Sequence, residues 1–520
     1  MAEMISRAAE FMSAHMVSAA VALPLAGAIV SLAIPAGARA AARVASAIFS
    51  AVGAGLCVAA FARIRGSGEI EFAEMAQWIP SLGIYYRVGF DGVSGLLAAA
   101  ASASCFGSII FSLRREVPRE RLSLALMLFA QGCLTGIFAS LDGFLFYLFW
   151  SGSAAALCLL TGVWGEGGRI AAATKFMAFA AAGSAAMLLA FAFAGASAES
   201  FYIVDWMAHR FGLFDQMWMF WALALAFGVM MPIAGLHTWL ADLCEQSSPA
   251  GAALAGGAML AAGAYGFFRI GMPIAPVAVA VFAPAMCWLG VAAVFMGAML
   301  ALAERDLARI AAAVSLSQMG IVLLGLFSLQ SVGVSGAVLL MAANALIACG
   351  VHMVSGTLRA RAGGSDLANA GGIWRAMPAV AAALALFAAA AVGLPGLAGF
   401  SGQFTLLLGS FQVRTLHASL ALAGLAILAS AIAVRVVIAL FGRRAAGDER
   451  RRSDAGPAEI TAMAAIGAVI VLAGLWPQPL LGRIERPAEA FVKLSKRVEM
   501  IIPAGRSPVP DEAAPEGRGE

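Results

Sequence analysis

Long runs of apolar residues alternate along the chain with short segments rich in arginine, acid, glycine and proline. Fourteen such runs fall near 15–34, 42–62, 89–113, 122–140, 142–163, 172–195, 217–240, 249–272, 275–303, 307–328, 332–357, 377–410, 417–441 and 459–481. Crossing about 30 Å of hydrocarbon takes roughly 20 apolar residues in a helix, whereas an open strand leaves its backbone unpaired in lipid. The pattern therefore predicts an all-α polytopic membrane protein with about 14 transmembrane helices. Arg39, then Arg114, Arg115, Arg119 and Arg121, then Arg169, Arg305, Arg359 and Arg361, and finally Arg443, Arg444 and Arg450 to Arg452 follow odd-numbered runs. The positive-inside rule then makes those loops cytoplasmic and both termini external. Segments 64–88 and 196–216 become external connections, the latter holding Asp205, Trp206 and Trp218 near a membrane interface. Glu3, Arg7 and Glu10 before the first run match a cleavable signal poorly, so the first span is expected to stay. Residues 483–520 read as a polar, disordered tail.

Composition sharpens this picture. Hydrophobic residues make up 62% of the 520 and charged residues 12%, against about 45–50% and 25% in soluble domains, which excludes a soluble fold. The net charge is only +4 and the basic residues sit in short loops, so no nucleic-acid partner is indicated. Cysteines 57, 105, 133, 158, 244, 287 and 349 form no CxxC pair, so no disulfide framework, metal site or redox centre is expected. A glycine-rich dinucleotide loop is also lacking. The 57 glycines and alanine-rich stretches such as 379–391 permit close helix packing in lipid, which also suits a rigid spacer.

Two runs are interrupted. The seventh holds Met230-Met231-Pro232-Ile233-Ala234-Gly235-Leu236-His237 and the twelfth Gly393-Leu394-Pro395-Gly396, and each string is expected to break a helix at membrane depth. Breaks five spans apart are the pattern of an inverted-repeat transporter. Proline kinks are also common in membrane helices of other kinds, so the breaks alone raise that reading only modestly.

The string Leu236-His237-Thr238-Trp239-Leu240-Ala241-Asp242, followed by Ser248-Pro249-Ala250-Gly251 and Ala264-Tyr265-Gly266, resembles the core motif of the antiporter-like, Mrp-related subunits of proton-translocating NADH:quinone oxidoreductase, respiratory complex I. Gly89-Phe90-Asp91-Gly92-Val93-Ser94, Ala172 to Phe176 and Asp306 to Gly320 resemble the family's third-, sixth- and tenth-span motifs. Leu408 to Gln412 and Trp476-Pro477-Gln478-Pro479 resemble chain M in particular. The resemblance covers roughly 85–480 and implies a 14-helix fold with two five-helix inverted repeats. It divides the chain into N-terminal helices 1–3 (1–120), a first repeat of helices 4–8 (121–272), a second of helices 9–13 (273–442), helix 14 (443–482) and the tail (483–520). It also implies assembly with other membrane-arm subunits and flanking antiporter-like chains. FMN, iron–sulfur clusters and quinone would sit on partner subunits and no cofactor in this chain.

The family's proton file runs through ionisable side chains near the bilayer midplane, and each position transfers here to a residue that does not exchange protons near neutral pH. The fifth-span Glu aligns with Ser151, the Lys before Met-Pro in the seventh with Met230, and the eighth-span Lys with Ala261. The twelfth-span Glu aligns with Gln403, and the His of the tenth and eleventh spans with Gln318 and Asn344. Loss of both members of the Glu/Lys pair is coherent, since one alone would be an unpaired buried charge. The expectation is an arm subunit conducting poorly, or not at all, by the usual route.

A rewired path would use Lys175, His237, Asp242 and Glu245. Against it, Lys175 can snorkel to the cytoplasmic interface and His237 can satisfy unwound backbone, while Asp242 and Glu245 can be solvated acids on the external side of the seventh span. Asp91 and Asp142 are expected as helix caps, Arg269 and Asp306 as interfacial or inter-helix partners, Arg435 as reaching toward 443–452, and His352 as a packed, hydrogen-bonded histidine. The rival assemblies are a multisubunit sodium/proton antiporter and a membrane-bound hydrogenase. A purely structural paralogue is a further reading, and a stand-alone solute transporter is weakened by the absence of polar binding residues at the two breaks.

Overall fold

The computed structural model describes residues 15–35, 37–113, 117–367, 371–442 and 453–495. Expectations for Glu3, Arg7, Glu10, Arg114, Arg115, the arginines of 443–452 and residues 496–520 lie outside the described residues. Thirteen helices within them are long and apolar enough to cross a membrane: Met16–Ala33, Arg39–Arg63, Gly92–Ser112, Glu120–Ala139, Gly143–Trp164, Arg169–Ala198, Leu213–Met230, Pro249–Ile274, Pro276–Ala303, Leu307–Phe327, Ser331–Ala362, Thr415–Phe441 and Pro457–Leu475. The predicted twelfth run is split into Pro378–Ala391 and Ala398–Phe411, each too short to cross alone. Counted in chain order these make spans 1 to 14.

Both predicted breaks are present. Span 7 stops at Met230 and resumes as Thr238–Gln246, turning through Gly235 at φ 95°. Span 12 turns through Gly393 and Gly396 at φ 77° and 91°, conformations that a Cβ would strain. Spans 8 and 10 are wholly buried and span 11 almost so, which places them at the centre of the bundle. Spans 9 and 10 approach backbone to backbone: a Cβ at Gly297 would stand 2.4 Å from the Ala313 carbonyl oxygen. Such contact supplies the packing that holds helices together in lipid.

Helix ends fall on two faces. One carries Arg39, Arg119, Arg169, Arg305 and the end of span 11 with Arg359 and Arg361, and is called the arginine-rich face below. The other carries an antiparallel hairpin, β1 (Glu71–Ile79) and β2 (Ile84–Phe90), joined through Pro80–Leu82 and Gly83 at φ 67°. The expectation for 64–88 had been a connection only. Trp206, between spans 6 and 7, is fully buried against protein, its indole donating to the Ser200 carbonyl at 2.6 Å, because Gly143 leaves room for the ring. One further expectation is corrected on this face. Residues 483–495 are not a disordered tail but belong to the helix Gln478–Ser495. Its buried Ile484, Ala488, Phe491 and Val492 make one apolar stripe, and it packs against the span 3, 9 and 11 helices.

Candidate functional site

At the arginine-rich end of spans 6, 7 and 10, charged side chains converge on a cavity of about 240 Å³. Lys175, six residues into span 6, donates from Nζ to Asp242 Oδ2 and to the Thr238 carbonyl, both at 2.8 Å. Arg309, in the first turn of span 10, reaches Asp242 at 3.2 Å, Glu245 at 2.7 Å and Glu304 at 2.9 Å. Arg359 donates to the Glu245 carbonyl at 2.6 Å and lies 3.5 Å from Asp306, which caps span 10 by accepting from the Ala308 and Arg309 amides. His237 lines the same cavity with Nδ1 enclosed and unpartnered. The structure thus brings Lys175, His237, Asp242 and Glu245 together. It corrects their side: Asp242 and Glu245 lie on the arginine-rich face, because a span that starts at Leu213 beside the hairpin face must end on the opposite one. Arg309, Glu304 and Arg359 complete the cluster. Their signal in the sequence was the spacing of Glu304, Asp306 and Arg309 around the start of a helix.

Deeper in, the breaks are closed by neutral groups. The last carbonyls of a broken helix lose their intrahelical partners and need others. At span 12 the Ala391 carbonyl accepts from Gln318 Nε2 at 2.7 Å and Gln403 Nε2 at 3.3 Å, and Gln403 also donates to Gln318 Oε1 at 3.2 Å. At span 7 the Val229 carbonyl accepts from the Trp239 indole at 3.0 Å. Asn344 donates to the Gly256 carbonyl at 3.3 Å, which also takes the Ser315 hydroxyl at 2.8 Å. Met230 and Ala261 are buried, and a Cβ at Gly263, two residues past Ala261, would stand 2.9 Å from the Met230 Cβ. Ser151 Oγ is enclosed without a partner. Spans 5 and 7 meet through rings, with Trp150 and Phe227 centroids 5.6 Å apart.

On the hairpin face, Arg269 of span 8 pairs with Asp91 at 2.6 Å, both nearly withdrawn from solvent, beside a cavity of about 280 Å³. Asp91 also caps span 3, accepting from Val93 and Ser94, and Asp142 caps span 5, so both capping expectations hold. Burial pushes the Asp142 carboxyl up to about 6, against the opposing pull of the Leu145, Tyr85 and Phe144 amides and the Arg87 charge. Arg435 donates to the Leu302 carbonyl at the end of span 9, and the 443–452 segment toward which it was expected to reach lies outside the described residues. His352 is a correction, since both its ring nitrogens are buried without a hydrogen-bond partner. Among the described residues no three His, Cys, Asp or Glu side chains are placed to hold a metal ion.

Comparison with known proteins decides the family. Residues 140–429 match the family described as NADH:quinone oxidoreductase/Mrp antiporter, TM. The chain belongs to that family. NADH-quinone oxidoreductase subunit M of Pseudomonas aeruginosa is 32% identical over 419 residues, covering 78% of this chain and 81% of the relative. The Escherichia coli subunit M is 30% identical over 417 residues, covering 78% and 82%. A chain of respiratory complex I from Thermus thermophilus superposes with a TM-score of 0.84 at 28% identity, covering 92% of this chain and 99% of its own length. A chain of the Mrp complex from Dietzia shares the fold with a TM-score of 0.78 at 18% identity, covering 93% of this chain and 56% of that one. The chain is therefore an integral membrane antiporter-like subunit of the complex I type, with broken helices at spans 7 and 12.

Proposed function

We propose that the chain is a membrane-arm subunit of chain M type in a respiratory NADH:quinone oxidoreductase, associated with proton translocation, whose family proton file has been neutralised. Its neighbours are then other membrane-arm subunits and flanking antiporter-like chains, with FMN, iron–sulfur clusters and quinone on partners. By the positive-inside rule the arginine-rich face is cytoplasmic in a bacterial-type inner membrane, and the hairpin face, with both termini, is external. The observation that carries the neutral reading is the Gln318–Gln403–Ala391 arrangement. Two amides there satisfy the freed carbonyl of span 12, where the family motif implies an acid and a histidine, and amides do not titrate near pH 7. With Ser151, Met230, Ala261 and Asn344 at the other positions, no ion along that route balances another. Helices 4–8 and 9–13 form the two repeats, each with its break in the fourth helix.

A second reading keeps an active path that starts at the Lys175–His237–Asp242–Glu245 cavity, and the fold is equally that of an Mrp-type antiporter subunit or of the membrane-bound sulfane sulfur reductase chain that superposes with a TM-score of 0.80. Purification of the tagged chain from its own host in mild detergent, with mass spectrometry of what accompanies it, separates these. Flavin and iron–sulfur NADH dehydrogenase subunits are expected. Recovery with only antiporter-like membrane chains, or with a hydrogenase, overturns the oxidoreductase assignment and leaves the fold standing.

A further inference from the structure

Span 11 carries a polar stripe that the neutralised file touches only at Asn344. At about 100° per residue, Asn344, Ser355, Arg359 and His352 fall within about 80° of one another around the helix. With a rise of about 1.5 Å per residue they extend about 22 Å from the bundle centre to the arginine-rich face. Both ends of the stripe are tied down: Asn344 donates to the Gly256 carbonyl, and Arg359 pairs with Asp306 and donates to Ser365 Oγ at 3.0 Å. Its middle is not. His352 is 1% exposed and Ser355 2%, and His352 Nδ1, His352 Nε2 and Ser355 Oγ all lack a hydrogen-bond partner. His352 Nε2 lies against Gly256, where a Cβ would stand 2.7 Å away, and Gly256 belongs to the π-helical turn Leu254–Ala258 of span 8. Such wide turns loosen the backbone ladder and recur at functional sites.

Buried polar atoms in folded proteins are paired, and where protein supplies no partner, bound water does. One orphaned atom is an exception; three on residues one turn apart, in line with two anchored polar sites, make a path. We propose that His352 and Ser355 hold a short file of water from the Arg359–Asp306 pair to the Asn344–Ser315–Gly256 site, and that His352 is its proton-exchanging station. The step balances: a hydronium on the Asp306 side gives its proton to one ring nitrogen, forming an N–H bond and leaving water, and the N–H bond on the other nitrogen breaks to pass a proton to a water on the Gly256 side, so the imidazole is neutral before and after and ends as its other tautomer. Imidazole is the one side chain of the stripe suited to this, because asparagine and serine do not titrate near neutrality and arginine stays charged. The charged groups facing the stripe are Arg359 and Asp306, with Glu245 and Arg309 beyond them, and the thiol of Cys244 lies beside the His352 ring against Gly256. His352 lies eight residues past Asn344, about two turns along span 11, so this route meets the neutralised file at Asn344 and runs from there to the arginine-rich face through positions that file does not include.

The inference rests on the reading that the chain works inside a proton-translocating assembly, and its test is read in that assembly. His352→Gln keeps a donor and an acceptor but cannot titrate, and His352→Phe removes both. In sealed vesicles both variants are expected to move fewer protons per NADH oxidised, at an unchanged uncoupled oxidation rate. A cryo-electron microscopy map of the unmodified complex is expected to show water oxygens within hydrogen-bond distance of a His352 ring nitrogen and of Ser355 Oγ. Parental proton yield in both variants, or in His352→Gln alone, overturns the proton station. A dry His352 in the map overturns the file, and the map decides if neither variant assembles. Loss of the NADH-oxidising subunits from the purified parent would instead count against the assembly reading.

Discussion

Restoring the family's ion pair puts the neutralised file to a quantitative test. Met230 is 1% exposed, and lysine matches methionine closely in length, so Met230→Lys changes charge more than volume. An ammonium placed there alone costs about 2.5–3.5 kcal/mol on insertion scales for a charge at the helix centre. Ser151→Glu alone places a carboxylate beside an enclosed, unpartnered hydroxyl position, at a similar cost. Phe227 lies one turn before Met230 on span 7, and its ring is 5.6 Å from Trp150, the residue before Ser151 on span 5. Residues three apart share a helix face, so Met230 lies on the Phe227 side of span 7, whereas Ser151 stands about 100° round span 5 from Trp150, and whether a glutamate there reaches the lysine is what the cycle decides. If they meet, breaking the pair costs about 3–5 kcal/mol, and the double variant should recover most of what the single variants lose. The assay is a double-mutant cycle by reversible unfolding in mixed micelles, with assembly scored in parallel. A coupling energy within about 0.5 kcal/mol of zero, the additivity of independent sites, would refute the placement of the family pair at Ser151 and Met230.

Two further outcomes follow from the hairpin face. Arg269→Met leaves the Asp91 carboxylate buried without its guanidinium, so a loss of about 3–5 kcal/mol is expected, with Asp91→Asn/Arg269→Met closer to the parent because asparagine still caps span 3; equal loss in single and double variants would show that the pair is not energetically coupled. Asp142, pushed up to about 6 from 3.8, binds its proton more tightly folded than unfolded, so its contribution to stability is full below about pH 4, is lost as pH rises through 6, and stays lost above; Asp142→Asn should gain on the parent across that window in thermal unfolding, and a pH-independent difference would contradict the burial argument.

The spans were legible because lipid leaves the backbone one solution, and the breaks because proline and glycine interrupt Met231-Pro232 and Gly393 to Gly396 at depth. The hairpin was not read as such, although Glu71–Ile79 and Ile84–Phe90 are rich in β-branched and aromatic residues, because short polar strands between spans look like connections. The terminal helix was missed because its apolar stripe is only four residues wide among charges, and its order comes from docking on the bundle. The cluster around Asp242 was visible as single residues but not as a site. Nothing in the sequence says that Lys175 and Arg309 share one carboxylate across 134 positions, since that contact is set by how spans 6, 7 and 10 cross.

The distribution of charge explains why the neutral interior and the charged faces belong together. Ionised side chains crowd the two ends of the bundle, as Lys175, Asp242, Arg309 and Glu245 at one and Arg269 with Asp91 at the other, where water and helix termini lower the cost of charge. Between them, Gln318 lies about 18 Å along span 10 from its cap at Asp306, by helix rise, and bonds only to an amide and a carbonyl. A proton crossing that gap must exist as an uncompensated cation in a low-dielectric interior, unless a group on the way can hold it. A rigid, neutral seal at the broken helices thus keeps an arm subunit from leaking, while its faces retain the ion pairs that order it. His352, whose two ring nitrogens are the titratable atoms left unpaired on the central helix, is where that seal would first have to open.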